Sequence, residues 1–378
     1  MNSNTGPDLH IVSFNVPWPA NYGGVMDVFY RLRALSRAGL RIHLHCYTYG
    51  RPEAPELGPL CVEVRYYKRD MSLLQQLDRR PFIVSSRCNK ELKASLQQDR
   101  YPILLEGLHC CSLLEDDSLR DRIVMVRAHN IEADYYSRLA HSEHNLLRKA
   151  YLALDAAKLR RYEPMLQRAA AVFAISEADR QSLLRMGCRD VRLVTGGHPY
   201  DTVSSLVGRG DYALYHGQLS VAENIHAVEW LITNVFSDSP HRLVVAGLNP
   251  PKTLRRLIVR HPNVSLVDSP DDATMQRLVA EAQVNILYTD QPTGMKLKLL
   301  HALFCGRHCL VNSAMVVGTG LEELCQIADT AEAMREALDR LMQTDFDAQQ
   351  IARRPSLLAP YTTDQAVRPI VDLILHHC

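Results

Sequence analysis

Apolar residues fall into short strand-length runs separated by stretches of helical spacing. His10-Ile-Val-Ser-Phe-Asn15 has the length and composition of a buried first strand. A loop with Pro17, Pro19 and the pair Gly23-Gly24 follows. Val28, Leu32 and Leu35 then recur at helical spacing within 25–38, and Gly39 closes that helix. Arg41-Ile-His-Leu-His-Cys-Tyr47 is a second strand. Strand, glycine-bearing loop, helix and strand form the opening unit of a doubly wound sheet. Further strands are predicted at 62–67, 103–106, 123–127, 171–175 and 191–194. Between the strands at 123–127 and 171–175, the stretch 142–170 predicts one long helix with Arg148, Lys149, Lys158, Arg160, Arg161 and Arg168 among apolar residues. A solvated face over a buried stripe is the favoured reading of that helix, and an anionic membrane surface the other.

From 200 to 210 the chain turns polar and glycine-bearing, which places a boundary at 205/206. A second series begins there: strand 212–216, loop 217–224, helix 227–236, and strand 242–246 ending at Gly247. Strands at 264–267, 284–288 and 308–312 follow. A last helix at 367–376 carries Pro369 in its first turns, where proline is tolerated. The expected architecture is α/β: two Rossmann-like domains, 1–205 and 206–378, facing a cleft, with the last helix packing back on the first domain. A chain of 378 residues is long enough for both.

Charge removes one class of partner. Lys and Arg total 43 against 42 Asp and Glu, a net charge of +1, so nucleic acid is not expected. The 10 cysteines are scattered without a C-x-x-C or zinc spacing, which fits reduced thiols in a cytosolic protein. The polar start lacks a signal-peptide pattern, and no window approaches the roughly 20 apolar residues of a membrane span. The expected location is cytoplasmic, with the inner face of a membrane as a peripheral surface.

The densest chemistry lies in 293–306. Thr293, Gly294 and Met295 stand between a strand and a short helix, where backbone amides and the helix dipole favour an anion. Lys298 and His301 share one face of that helix, Lys296 points to another side, and Gly306 ends it. An anionic phosphate at the carboxyl end of a strand is the ligand this arrangement suits. His216 and Gly217, ending another strand, are further phosphate or base contacts, and Asn224 reads as a helix cap first and a phosphate contact second. Trp18 and Tyr22 are candidates to stack on a sugar ring or to pack in a core.

In order and spacing these segments resemble the GT-B glycosyltransferases, specifically the retaining family-4-like group, over nearly the whole chain. Gly23-Gly24 resembles the family's glycine loop near donor and acceptor, and Ala174-Ile-Ser-Glu-Ala-Asp-Arg180 a turn late in the first domain. Tyr215-His-Gly-Gln-Leu-Ser220 and Val245-Ala-Gly-Leu-Asn-Pro250 resemble two motifs of the second. The run from Gly294 to Val311 resembles the family's donor motif, and Lys298 matches its lysine. Thr293 and His301 stand where the family has paired glutamates, and Gln218 and Glu223 where it often has Arg and Lys.

The resemblance implies transfer of a sugar from a nucleotide-diphosphate donor to an acceptor hydroxyl, with retention. It puts the donor on the second domain and the acceptor on the first, with closure assembling the site. Lys298 would stabilise the leaving phosphate, and His301 would meet the nucleotide where a family glutamate contacts ribose. Gly217, Thr293, Gly294, Met295 and Lys296 complete the donor side. His129 matches a family histidine that touches the transferred sugar. Gly23, Gly24, Asn130 and Glu132 form the acceptor side, although His129 and Asn130 at a strand end also suit capping of the next helix. Acceptors of this class are sugars, lipid-linked or protein-linked. No tightly bound cofactor is implied. No metal is expected either, because the sole D-x-D, Asp345-Phe-Asp347, follows a helical run. Two alternatives stand beside this one: a GT-B sugar-nucleotide epimerase using Glu106 and Glu132, and a non-catalytic sugar- or protein-binding homologue.

Overall fold

The computed structural model describes residues 6–21, 23–143, 145–291 and 296–376. The chain divides into two compact units, Met1–His198 with Thr363–Cys378, and Pro199–Thr362. The polar stretch at 200–210 therefore lies inside the second unit, and the chain's last segment belongs to the first.

The first unit is built on seven parallel strands: β1 (Asp8–Ser13), β2 (Arg41–Thr48), β3 (Glu63–Lys68), β4 (Ile103–Glu106), β5 (Val124–Ala128), β6 (Ala171–Ala174) and β7 (Val191–Leu193). Their order is β3-β2-β1-β4-β5-β6-β7. The winding reverses between β1 and β4, the place where a doubly wound sheet opens to a ligand at its strand ends. Every residue of β4, β5 and β6 is buried. Helices cover both faces of such a sheet, so its central strands are almost continuously apolar. The helix Arg368–Leu375 buries Ile370, Leu373 and Ile374 in one cluster with Leu9, Ile11 and Leu32.

The second unit repeats the plan with β8 (Tyr212–His216), β9 (Arg242–Gly247), β10 (Val264–Asp268), β11 (Val284–Leu287), β12 (His308–Val311) and β13 (Gln326–Ile327), ordered β10-β9-β8-β11-β12-β13 and all parallel. Its reversal falls between β8 and β11.

Three local expectations are corrected. The helix expected over 142–170 is Leu146–Tyr162 followed by a 3-10 turn, Glu163–Arg168. Asn145 caps its start by accepting the Arg148 N–H at 3.1 Å, and Pro164, lacking an N–H, opens the 3-10 turn. Gly23 and Gly24 open the helix Gly23–Arg37 and are not in the loop before it. The loop expected over 217–224 ends early, because the next helix is Ala222–Asn234.

A buried ionic network holds the strand ends of the first unit. The Asp27 carboxylate, on the helix Gly23–Arg37, accepts from Arg31 at 2.7 Å, from Arg127 of β5 at 3.1 Å and from the Gly197 N–H at 2.6 Å. Arg31 also donates to Glu106, the last residue of β4, at 2.5 and 3.2 Å. Burial opposes ionisation of Asp27, but Arg127 and Arg31 overcome it and hold the carboxyl far below the usual range. Removing one member strands the others as buried, uncompensated charges. Asp27→Ala should therefore cost roughly 3–5 kcal/mol of stability. A urea titration monitored by circular dichroism checks this, and an unchanged midpoint would show that the network carries no such weight.

Candidate functional site

In the second unit the site grows from the end of β8 and the helix that follows β11. The helix Leu297–Cys305 begins with Lys296 at its N-cap and Lys298 in its first turn. Lys298 Nζ donates to Asn224 Oδ1 at 2.9 Å and to the Tyr215 hydroxyl at 3.1 Å. Tyr215 in turn donates to Asn224 Oδ1 at 3.1 Å, and Asn224 Nδ2 donates to the Gln218 carbonyl at 3.0 Å. Asn224 thus orients the lysine and is not the expected cap: it lies inside the helix Ala222–Asn234, whose N-cap is Val221. Burial pushes the Lys298 ammonium down to about 8, with Glu223 opposing the shift and Lys296 adding to it. Glu223 itself accepts from the Thr289 hydroxyl. Thr289 is further held by Asn312, which accepts the Thr289 N–H at 3.2 Å and donates to its carbonyl at 2.7 Å.

His301 is buried, stacked on Tyr200 at 4.5 Å and 16°, with the edge of His216 at 5.2 Å and 78°. His216 is 4% exposed, and its buried Nε2 has no hydrogen-bond partner among the described residues. Burial, then His301 and Lys298, hold its imidazole neutral. The Gly217 N–H donates to the Ala246 carbonyl at 3.1 Å, so this glycine contributes space and not a free donor. A Cβ at Gly247 would lie 1.8 Å from the Gly217 carbonyl oxygen, so the crossing of these two strand ends requires glycine there. Thr293, Gly294 and Met295, like Tyr22, lie outside the described residues.

In the first unit His129 follows β5 and lies between two carboxylates. Its Nε2 is 3.1 Å from Glu106 and its Nδ1 is 3.3 Å from Asp27. Asn130 is exposed and hydrogen-bonds Glu132. Neither His129 nor Asn130 caps the next helix, Glu132–Ser142. Its N-cap is Ile131, and Glu163 accepts the Ala133 N–H at 2.9 Å. Glu132 is 4% exposed, and burial followed by Glu163 raises its carboxyl to about 7. A Cβ at Gly23 would meet nothing within 4 Å, which leaves open space beside the start of the helix Gly23–Arg37.

The D-x-D carboxylates have structural roles. Asp347 forms a capping box with Gln350, and Asp345 pairs with Arg209 at 2.8 Å. Among the described residues no group of three or more His, Cys, Asp or Glu is placed to hold a metal ion.

Residues 210–344 match the family described as glycosyl transferases group 1. An uncharacterized 44.6 kDa protein in the cps region of Klebsiella pneumoniae is 24% identical over 333 residues, 82% of this chain and 84% of that one. Among solved structures, HepE of Anabaena, in complex with UDP and glucose, superposes with a TM-score of 0.62 at 13% identity, covering 98% of this chain and 100% of that one. OtsA without ligand gives a TM-score of 0.63 at 10% identity, covering 97% and 99%. At these identities the likeness is one of fold, and that fold is GT-B.

Glu132 makes the first unit sensitive to pH. Its raised carboxyl binds a proton in the folded chain, between about pH 4.5 and 7, that the unfolded chain does not. Stability contributed there is present below that window and lost as pH rises through it. Glu132→Gln should flatten the slope by on the order of 1–3 kcal/mol, with a part of the same sign left to Glu163. Urea midpoints at about pH 5 and about pH 7.5 measure it, and an unaltered slope would mean that Glu132 ionises freely.

Proposed function

We propose that this chain, which has the GT-B fold and whose residues 210–344 are a glycosyl transferases group 1 segment, moves a sugar from a nucleotide-diphosphate donor to an acceptor hydroxyl. The observation that carries the reading is Lys298. It is a largely desolvated ammonium at the start of the helix after β11, oriented by Tyr215 and Asn224, with no described carboxylate at salt-bridge distance. A cation so placed meets the charge that develops on a leaving diphosphate. As the bond from the sugar's anomeric carbon to the phosphate oxygen breaks, its electron pair goes to the diphosphate. The acceptor oxygen bonds to the same face of that carbon and gives its proton to the departing phosphate, so configuration is retained. No metal is needed in this scheme, and the nucleotide sugar is a substrate, not a resident cofactor. His301, Lys296, Gly217 and 293–295 take the donor side. His129, Asn130, Glu132, Gly23 and Gly24 take the sugar and acceptor side.

The acceptor is a sugar, free or linked to lipid or protein. The relative from a cps region favours polysaccharide or glycoconjugate synthesis as the setting. No helix among the described residues is long and apolar enough to cross a membrane. Leu73, Leu74, Leu77, Leu146 and Leu147, all at least 74% exposed, lie with Arg148 and Lys149 on the helices Leu73–Leu77 and Leu146–Tyr162. That composition supports peripheral attachment at the inner face of an anionic membrane.

A diphosphate beside Lys298 favours its charged form. At about pH 8.5, binding of UDP, GDP or ADP should take up a sizeable fraction of a proton. Calorimetry in buffers of different ionisation heat reads this, and Lys298→Met should abolish it and weaken binding. Equal affinity and proton uptake in the variant would remove Lys298 from the donor site. Turnover, followed as nucleoside diphosphate released from a nucleotide sugar, should persist in excess EDTA; loss restored by Mg²⁺ would overturn the metal-free scheme.

A further inference from the structure

We propose that Arg69, Arg87 and His109 form an anion pocket in the first unit, through which a phosphate or carboxylate group of the acceptor is recognised. The ligand's identity as the acceptor rests on the transferase reading; the pocket stands on the first unit's own geometry.

Two guanidiniums there are bonded to neutral groups among the described residues. Arg87 is 4% exposed, and its donors go to neutral carbonyls, Nε to Phe14 at 3.0 Å and Nη1 to Ile83 at 2.7 Å. Arg69 donates Nε to the Ser86 hydroxyl at 2.9 Å and lies 4.8 Å over the Tyr49 ring and 5.1 Å over the Phe82 ring. Among the described residues neither arginine has a carboxylate at salt-bridge distance. Arg31 and Arg127 of the same unit both have one. The absence is felt electrostatically. Burial, then Arg69, pushes Arg87 down to about 10, and burial lowers Arg69 as well. Glu132, the acid whose charge bears on Arg87, is itself raised to about 7 and is an incomplete counter-ion at neutral pH.

His109 adds a neutral donor. Its ring packs on Phe14 at 5.2 Å, and its Nδ1 is buried without a hydrogen-bond partner among the described residues. Burial and then Arg87 keep it uncharged. Gly107, at φ 77, makes room for it, because a Cβ there would lie 2.7 Å from His109 Nδ1. Phe14, Tyr49, Arg69 and His109 all follow the carboxyl ends of strands: β1, β2, β3 and β4. That edge is where a doubly wound sheet takes ligands. Two planar guanidiniums and an imidazole match the oxygens of a phosphate or carboxylate, and such an anion relieves the cost of burying like charges.

The test uses the full chain, labelled with ¹⁵N-arginine, saturated with UDP, GDP or ADP, whichever binds, to occupy the donor side. Methyl phosphate and acetate are titrated separately while the Nε signals of Arg69 and Arg87 are followed. A co-sedimentation arm uses vesicles with and without phosphatidic acid. The proposal expects at least one probe to bind, with affinity reduced roughly tenfold to a hundredfold in Arg69→Gln and unaltered in Lys298→Met. Arg69→Gln loses one hydrogen bond and two ring contacts but also removes a partly buried charge without a salt-bridge partner among the described residues, so its thermal unfolding should stay near the parent's, and Arg87→Lys, which keeps the charge but not the fork, should weaken binding too. Binding of methyl phosphate or acetate identifies a soluble anion as sufficient, and Arg69-dependent binding of acidic vesicles alone identifies a lipid headgroup. No binding of any probe, or binding indifferent to Arg69→Gln and Arg87→Lys, overturns the pocket. Failure of the transferase reading is distinct: the anion binds through Arg69, yet no nucleotide sugar is turned over.

Discussion

The Asp27 carboxylate is the point on which the first unit is organised. Two guanidiniums and a backbone N–H converge on an acid that is 2% exposed. Through Arg31 it reaches the end of β4, and through Arg127 it reaches β5, the carbonyl of Ala174 that ends β6, and the carbonyls of Val194 and Thr195 just after β7. The helix Gly23–Arg37 is therefore keyed by charge to the carboxyl ends of the central strands, where a sheet of this order meets its ligand. Buried charges seldom improve stability over apolar packing, but each one present makes its partners indispensable. Here they also set the chemistry nearby. His129 is held between Asp27 and Glu106, so its orientation is a by-product of the same network.

The two units share a strand order and differ in electrostatics. In the first, paired charges fix the ends of β4 and β5, while Arg69 and Arg87 have no carboxylate at salt-bridge distance among the described residues. In the second, the end of β8 carries a neutral, buried His216 and a lysine brought down to about 8. A desolvated ammonium is a costly thing to keep, and Tyr215 and Asn224 satisfy it with neutral oxygens that a phosphate can outcompete. A protein that merely needed a salt bridge here would place an acid at hydrogen-bond distance. Glu223 is nearby but is bonded to Thr289 instead.

Much of the architecture was legible in the chain because parallel strands buried on both faces are short apolar runs. The strands at 103–106, 171–175, 212–216 and 308–312 could be read almost to their ends. Helix limits were less visible. The break near 142–146 depends on Asn145 capping, and the end at Tyr162 on Pro164, both local signals that the basic periodicity of 142–170 obscured. Lys298 was found through its position after a strand and a glycine. Its partners were not: Asn224 lies 74 residues away in the chain, and a cap and a lysine ligand look alike in sequence. The Asp27 network was equally hidden, since its partners stand 75 and 100 residues apart and strand-end arginines usually point to solvent. Arg69 and Arg87 were hidden for the opposite reason. What marks them is a missing neighbour, and only packing reveals that.

The central claim is that the second unit binds the donor's diphosphate beside Lys298. Hydrogen–deuterium exchange of the full chain, with and without UDP, GDP or ADP, tests it most directly. Ligand that seats there should slow exchange of the amides at 216–224 and 296–301, and Lys298→Met should remove that protection. Protection confined to the first unit, or unaltered in Lys298→Met, would contradict the account.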